Sequence, residues 1–129
     1  MKNMSTTKIL DANAILRYML DDIKEQADIV EEALKNYEVL VLPEIVAEIV
    51  HILTKYYNYS RCETFERVFK FLEDAEHCGQ VLGGAIKTYG RTNLDFVDCL
   101  LYEYSKHPNY EILTFDKKLI KLINRNEED

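Results

Sequence analysis

The sequence predicts an α/β fold, a three-layer sandwich in which a central parallel sheet of four to five short strands carries helices on both faces. Three observations lead there. Short runs at residues 8–10, 38–42, 80–82 and 110–115 are too apolar to be strands with one face in water. Between them, apolar residues recur every three or four positions, the period of a helix with one buried stripe. The resulting order, βααβααβαβα, separates successive strands by helices, as parallel crossovers require.

The run Lys8-Ile9-Leu10 ends at Asp11 and continues into helix formers over residues 12–20, so it reads as strand, turn and helix. Residues 24–36 place Ala27, Val30, Leu34 and Tyr37 on one stripe of a second helix. Glu-Val-Leu-Val-Leu (38–42) is a strand stopped by Pro43, and Pro43 suits the first turn of the next helix, where its missing N–H has no partner to lose. That helix buries Ile45, Val46, Ile49, Ile52, Leu53 and Tyr56 and carries Glu48 in its second turn. After the turn-like Asn58-Tyr59-Ser60, residues 62–76 repeat the pattern with Phe65, Val68, Phe69 and Leu72.

Gln80-Val81-Leu82 reads as a short strand, followed by Gly83-Gly84 and a short helix ending near Gly90. Residues 94–104 fit an amphipathic helix with Asp95 and Asp98 in its first turn, where the helix dipole favours acids, and Pro108 closes it. The segment 110–115 reads as a strand ending at Asp116. A last helical pattern over 117–123 carries Leu119, Ile120 and Ile123, and the polar residues 124–129 read as a frayed tail.

A chain of 129 residues without a Pro/Gly/Ser-rich linker reads as one domain, residues 1–129. Cys62, Cys78 and Cys99 are odd in number and lack C-x-x-C spacing, so neither a disulfide framework nor a zinc site is indicated. His51, His77 and His107 are scattered, which leaves a zinc protease or a Cys/His hydrolase unsupported. With no leader pattern and no apolar run long enough to span a bilayer, the expected location is the cytoplasm, away from membranes. The net charge of -7 argues against broad, charge-driven binding of nucleic acid. A cluster of four ionised carboxylates would supply part of that charge, and bound cations would reverse its sign locally.

In open parallel sheets the ligand site lies beyond the carboxyl ends of the strands. Asp11 and Asp116 each follow a strand, while Glu48 and Asp98 sit near the starts of helices that begin at the same edge. If these four acids converge, their mutual repulsion calls for a hard divalent ion such as Mg²⁺ or Mn²⁺. Taken one at a time, each acid fits an ordinary cap or turn role equally well.

The wording around the acids adds to this. Leu-Asp-Ala-Asn-Ala-Ile-Leu-Arg-Tyr (10–18), Leu-Pro-Glu-Ile-Val-Ala-Glu-Ile-Val (42–50), Asp-Phe-Val-Asp-Cys-Leu-Leu (95–101) and Leu-Thr-Phe-Asp-Lys (113–117) together resemble PIN-domain nucleases. Their order and spacing are similar to those of VapC-type toxins, over about residues 8–122. The resemblance implies a PIN-like sandwich and a Mg²⁺- or Mn²⁺-dependent endoribonuclease leaving a 5'-phosphate and a 3'-hydroxyl. It assigns the catalytic and metal-ligand roles to Asp11, Glu48, Asp98 and Asp116, with Asn13 and Thr114 supporting the site by hydrogen bonds. Asp95, one turn before Asp98, either shares the ligand role or caps its helix. Cys99 stands where relatives most often have Ala, which would add redox sensitivity.

The same resemblance implies an RNA substrate, a cognate antitoxin lying over the site, and a homodimer. Tyr56, Tyr57, Tyr59, Phe65 and Phe69 offer apolar surface for such partners, or core. Arg17 either contacts substrate phosphate or forms a surface ion pair, and Glu44 reads as a first-turn partner of the helix dipole. Lys117, Lys118, Lys121 and Arg125 either hold an RNA backbone or form a solvated helix face. Two rival classes are a PIN-fold module that binds RNA or protein without cleaving, and a phospho-acceptor receiver domain, whose motif order this chain lacks.

Overall fold

The first apolar run becomes strand β1 (Asn3–Ile9) and the second becomes β2 (Tyr37–Leu40). They pair in parallel with Lys8 opposite Val39 and Ile9 opposite Leu40, and the Lys8 ammonium sits 4.3 Å from the centre of the Tyr37 ring. The computed structural model describes residues 3–75 and 79–128; His77 and Cys78 lie outside them. Between the strands run α1 (Ala12–Leu20) and α2 (Lys24–Asn36), and five helices follow: α3 (Pro43–Lys55), α4 (Arg61–Ala75), α5 (Gly79–Arg91), α6 (Phe96–Ser105) and α7 (Lys117–Glu128). The fold is α/β, and none of these helices is long and apolar enough to cross a membrane.

The stripes read from the sequence are the core. Ile15 and Leu16 of α1, Val30 and Leu34 of α2, Val46, Ile49 and Leu53 of α3, and Val68, Phe71 and Leu72 of α4 are buried in one cluster. Pro43 occupies the start of α3 as expected. Ser60 and Glu63 cap α4 reciprocally: the Glu63 N–H donates to Ser60 Oγ at 3.1 Å and the Ser60 N–H to Glu63 Oε1 at 3.0 Å.

Several expectations are corrected. The described residues hold a sheet of two strands, not four to five. Residues 80–82 belong to α5, because Leu82, Ala85, Ile86 and Tyr89 complete a buried stripe at helical spacing. The Gly83-Gly84 pair, placed between strand and helix by the sequence, lies inside that helix. A Cβ on Gly84 would run into the Glu103 carboxylate of α6, so the glycine admits a close approach of the two helices.

Residues 110–115 form no strand. Their ends are tied locally instead: the Tyr110 N–H donates to the His107 carbonyl at 3.1 Å, and Thr114 Oγ1 accepts from the Asp116 N–H at 3.1 Å. Leu113 and Phe115 are 90% and 91% exposed as a result. The tail differs too, since α7 extends through Glu128 rather than fraying at residue 124.

Candidate functional site

Asp11 and Asp116 use one local device. Each follows a segment of non-helical backbone and caps the helix that comes after it, Asp11 Oδ1 accepting from the Ala14 N–H at 2.7 Å and Asp116 Oδ1 from the Leu119 N–H at 2.9 Å. Capping of this kind satisfies one of the N–H groups a helix start leaves unpaired, while the second carboxylate oxygen is not needed for it. Thr114 braces Asp116 through the backbone hydrogen bond described above. Asn13 is exposed in the first turn of α1.

Glu48 is exposed in the second turn of α3, and Glu44 is exposed in its first. Asp98 is half-buried in the first turn of α6. Asp95 holds the N-cap position of α6, yet its side chain makes no capping hydrogen bond, so the pure cap role is not the one it plays. The helices carrying these acids pack in succession, α1 on α3, α3 on α6, and α6 on α7.

The electrostatic signature of the site falls on Asp98. Burial pushes its carboxyl above the ordinary Asp value, and the charges of Asp116 and then Asp95 push it further. Two of the sequence's other acids thus act on Asp98, although Asp116 lies on another element. Asp11 and Glu48 are not among the charges acting on Asp98. Among the described residues, no three His, Cys, Asp or Glu side chains are gathered into a metal-holding group. The donor chemistry still suits a hard divalent cation, since all the groups are carboxylates and the repulsion at Asp98 is what such an ion would relieve.

Beside Asp98 a cavity of about 880 Å³ opens between α3 and the start of α6, walled by Ala47, His51, Tyr59, Arg61, Tyr89 and Phe96 with Asp95 and Asp98 at its edge. Arg61 was not a candidate in the sequence, and it organises this region. Its guanidinium lies 3.8 Å from the centre of the Tyr89 ring and donates through Nη2 to the carbonyls of Tyr89 and Leu94, fixing the link that leads into Asp95. The sequence reading began this helix at residue 62, just past Arg61, and held no signal for its role. His51 was read only as one of three scattered histidines, although its place one helical turn beyond Glu48 was a signal that could have found it.

The other candidates have these surroundings. Arg17 pairs with Asp22 at 2.8 Å. Cys99 is fully buried, and burial pushes its thiol to about 11, which removes the thiolate that redox chemistry needs at neutral pH. Tyr59, Phe65 and Phe69 pack against the core, whereas Tyr56 and Tyr57 are exposed. Lys117, Lys121 and Arg125 line a shallow surface hollow along α7.

Comparison with known proteins adds one finding: the model of the PIN domain family matches residues 8–124. No curated protein and no solved structure matches the chain.

Proposed function

The chain belongs to the PIN-domain family, a family of nucleases, and from that premise we propose that it is a Mg²⁺- or Mn²⁺-dependent endoribonuclease and the toxin of a toxin–antitoxin pair. The observation that carries this reading is the juxtaposition at Asp98, whose carboxyl is raised by burial first and then by the charges of Asp116, from another element, and Asp95. Ordinary surface acids avoid such mutual repulsion; sites that bind cations accumulate it. Asp98, Asp116 and Asp11, with Glu48, are the residues that would hold the ion. When bound, the ion supplies charge neutralisation at the scissile phosphate and acidifies water for attack.

The protein's own part is positioning. The caps made by Asp11 and Asp116 fix both carboxylates at helix starts, Thr114 holds the backbone of Asp116, and Arg61 fixes the approach to Asp95. Leu113 and Phe115, almost wholly exposed, supply apolar surface for the antitoxin and for a second copy of the chain.

Incubating single-stranded RNA with the purified protein, with Mg²⁺ or Mn²⁺ and with EDTA, tests the reading. Cleavage should require the metal and leave 5'-phosphate ends, and Asp98→Asn or Asp116→Asn should reduce it about 100-fold or more while circular dichroism stays unchanged. Metal-independent cleavage, or full activity in both variants, overturns it. Growth arrest on expression without a partner tests the toxin role separately. A second reading, a PIN-fold module that binds without cleaving, is favoured by the absence of three gathered acids among the described residues. Binding of RNA with no cleavage under either metal would establish that instead.

A further inference from the structure

We propose that the cavity between α3 and the start of α6 receives one unstacked base of single-stranded RNA, next to the phosphate that the acids hold. This rests on the nuclease reading and adds the subsite that would choose where the strand is cut. The cavity, about 880 Å³, falls within the size range of small-ligand sites and is large enough for a nucleoside. Its lining includes the exposed His51 and the half-buried Tyr59, whose rings can meet a base. Tyr89 and Phe96, each 4% exposed and with Arg61 over Tyr89, back that wall as packed rings rather than as stacking faces.

Charge complementarity favours a base over a backbone there. Among the lining residues the cation is Arg61, already engaged with Tyr89 and Leu94, so the cavity offers no free positive charge for a second phosphate beyond the one a metal at Asp98 would hold. A base is neutral and stacks through its π face, so a chain with a net charge of -7 can hold it without a basic groove. His51 is exposed, and among the described residues no hydrogen bond engages its ring nitrogens, which leaves them available to a base edge. The rings continue outward from the cavity: His51 meets Tyr56 edge to face at 6.3 Å, Tyr59 meets Tyr57 at 6.4 Å, and Tyr56 and Tyr57 are 68% and 43% exposed. Exposed aromatic side chains in succession are the platform on which neighbouring bases stack.

Two measurements test this. In the first, RNA with randomised sequence is cut and its ends are sequenced for the wild type and for His51→Ala, an exposed position whose replacement leaves the core intact. The wild type should prefer particular bases at one position beside the cut, and His51→Ala should weaken that preference about fivefold or more. In the second, nucleoside 5'-monophosphates of the four bases are titrated into the uncut protein while the ring signals of His51 and Tyr59 are followed by NMR. Saturable shifts with at least one nucleotide are expected.

Cleavage that keeps the same base preference in His51→Ala, with ring signals unmoved by all four nucleotides, overturns the subsite and leaves the nuclease standing. Shifts of those signals in a protein that cuts no RNA support the subsite and sink the nuclease.

Discussion

Asp116 and Asp98, eighteen positions apart in sequence, meet through their charges: Asp116 caps α7 and at the same time raises the Asp98 carboxyl. The folded protein therefore holds the Asp98 proton to a higher pH than the unfolded chain does. Its contribution to stability is complete below the unfolded value and is lost as pH rises through the folded one. Asp98→Asn removes that loss, so without divalent ions the variant should melt a few degrees above the wild type at pH 7 and show no advantage once pH falls below the ordinary Asp value. Added Mg²⁺ or Mn²⁺ should raise the wild-type Tm and leave the variant nearly unmoved. Thermal melts across pH, with and without metal, check both.

Away from the site, the Tyr18 hydroxyl donates to Asp74 at 2.8 Å, and burial together with that carboxylate pushes its pKa up to about 12. Stability from this pair should hold below pH 10 and fall between about 10 and 12, where the unfolded tyrosine ionises first. Tyr18→Phe should cost about 1 kcal/mol at neutral pH and remove the late phenolate step from an ultraviolet titration.

Glycines in α5 should diverge. A Cβ at Gly83 meets nothing within 4 Å, so Gly83→Ala should stabilise the helix by about 0.5–1 kcal/mol. A Cβ at Gly84 displaces Glu103, whose carboxylate accepts from Thr88 at 3.2 Å and from Lys106 at 3.0 Å. Losing those bonds should leave Gly84→Ala about 1–2 kcal/mol less stable than Gly83→Ala in denaturant titrations.

These glycines also mark where the sequence stopped being legible. The helices α2 and α3 could be read because their stripes are uninterrupted and Pro43 announces a start. In α5 the stripe from Leu82 to Tyr89 was equally regular, but Gly83-Gly84 masked it, since the reason for Gly84 is Glu103 on another helix. Residues 110–115 have the composition of a strand, and composition does not reveal whether a neighbouring strand is at hand or whether Thr114 and His107 will hold the backbone locally. The acids were legible as residue types at helix starts. Which of them act on one another was not, because that depends on α6 packing against α7.

The cysteines should differ in reactivity. Cys62 is exposed and Cys99 buried, so a thiol reagent added to the folded protein should label Cys62 and spare Cys99. Glu66, whose charge pushes the Cys62 thiol up, should slow even that reaction relative to a free cysteine, and Glu66→Gln should speed it. Mass spectrometry of digested, labelled protein reads both outcomes.

Arg61 offers the most direct link between packing and the site. Its guanidinium covers the Tyr89 ring and ties the carbonyls of Tyr89 and Leu94, so the end of α5 and the entry to Asp95 move with it. Lysine keeps the charge but lacks the planar guanidinium that covers the Tyr89 ring while one of its nitrogens, Nη2, donates to both carbonyls. Arg61→Lys should therefore cost about 1–2 kcal/mol of stability. Amide exchange over residues 92–96 should accelerate by more than the global loss explains, while exchange in α2, remote from this contact, follows the global change alone. If the link were only a passive covering of Tyr89, both regions would respond equally. Hydrogen exchange read by mass spectrometry separates the two, and RNA cleavage by the same variant should fall with the local loosening rather than with the melting temperature.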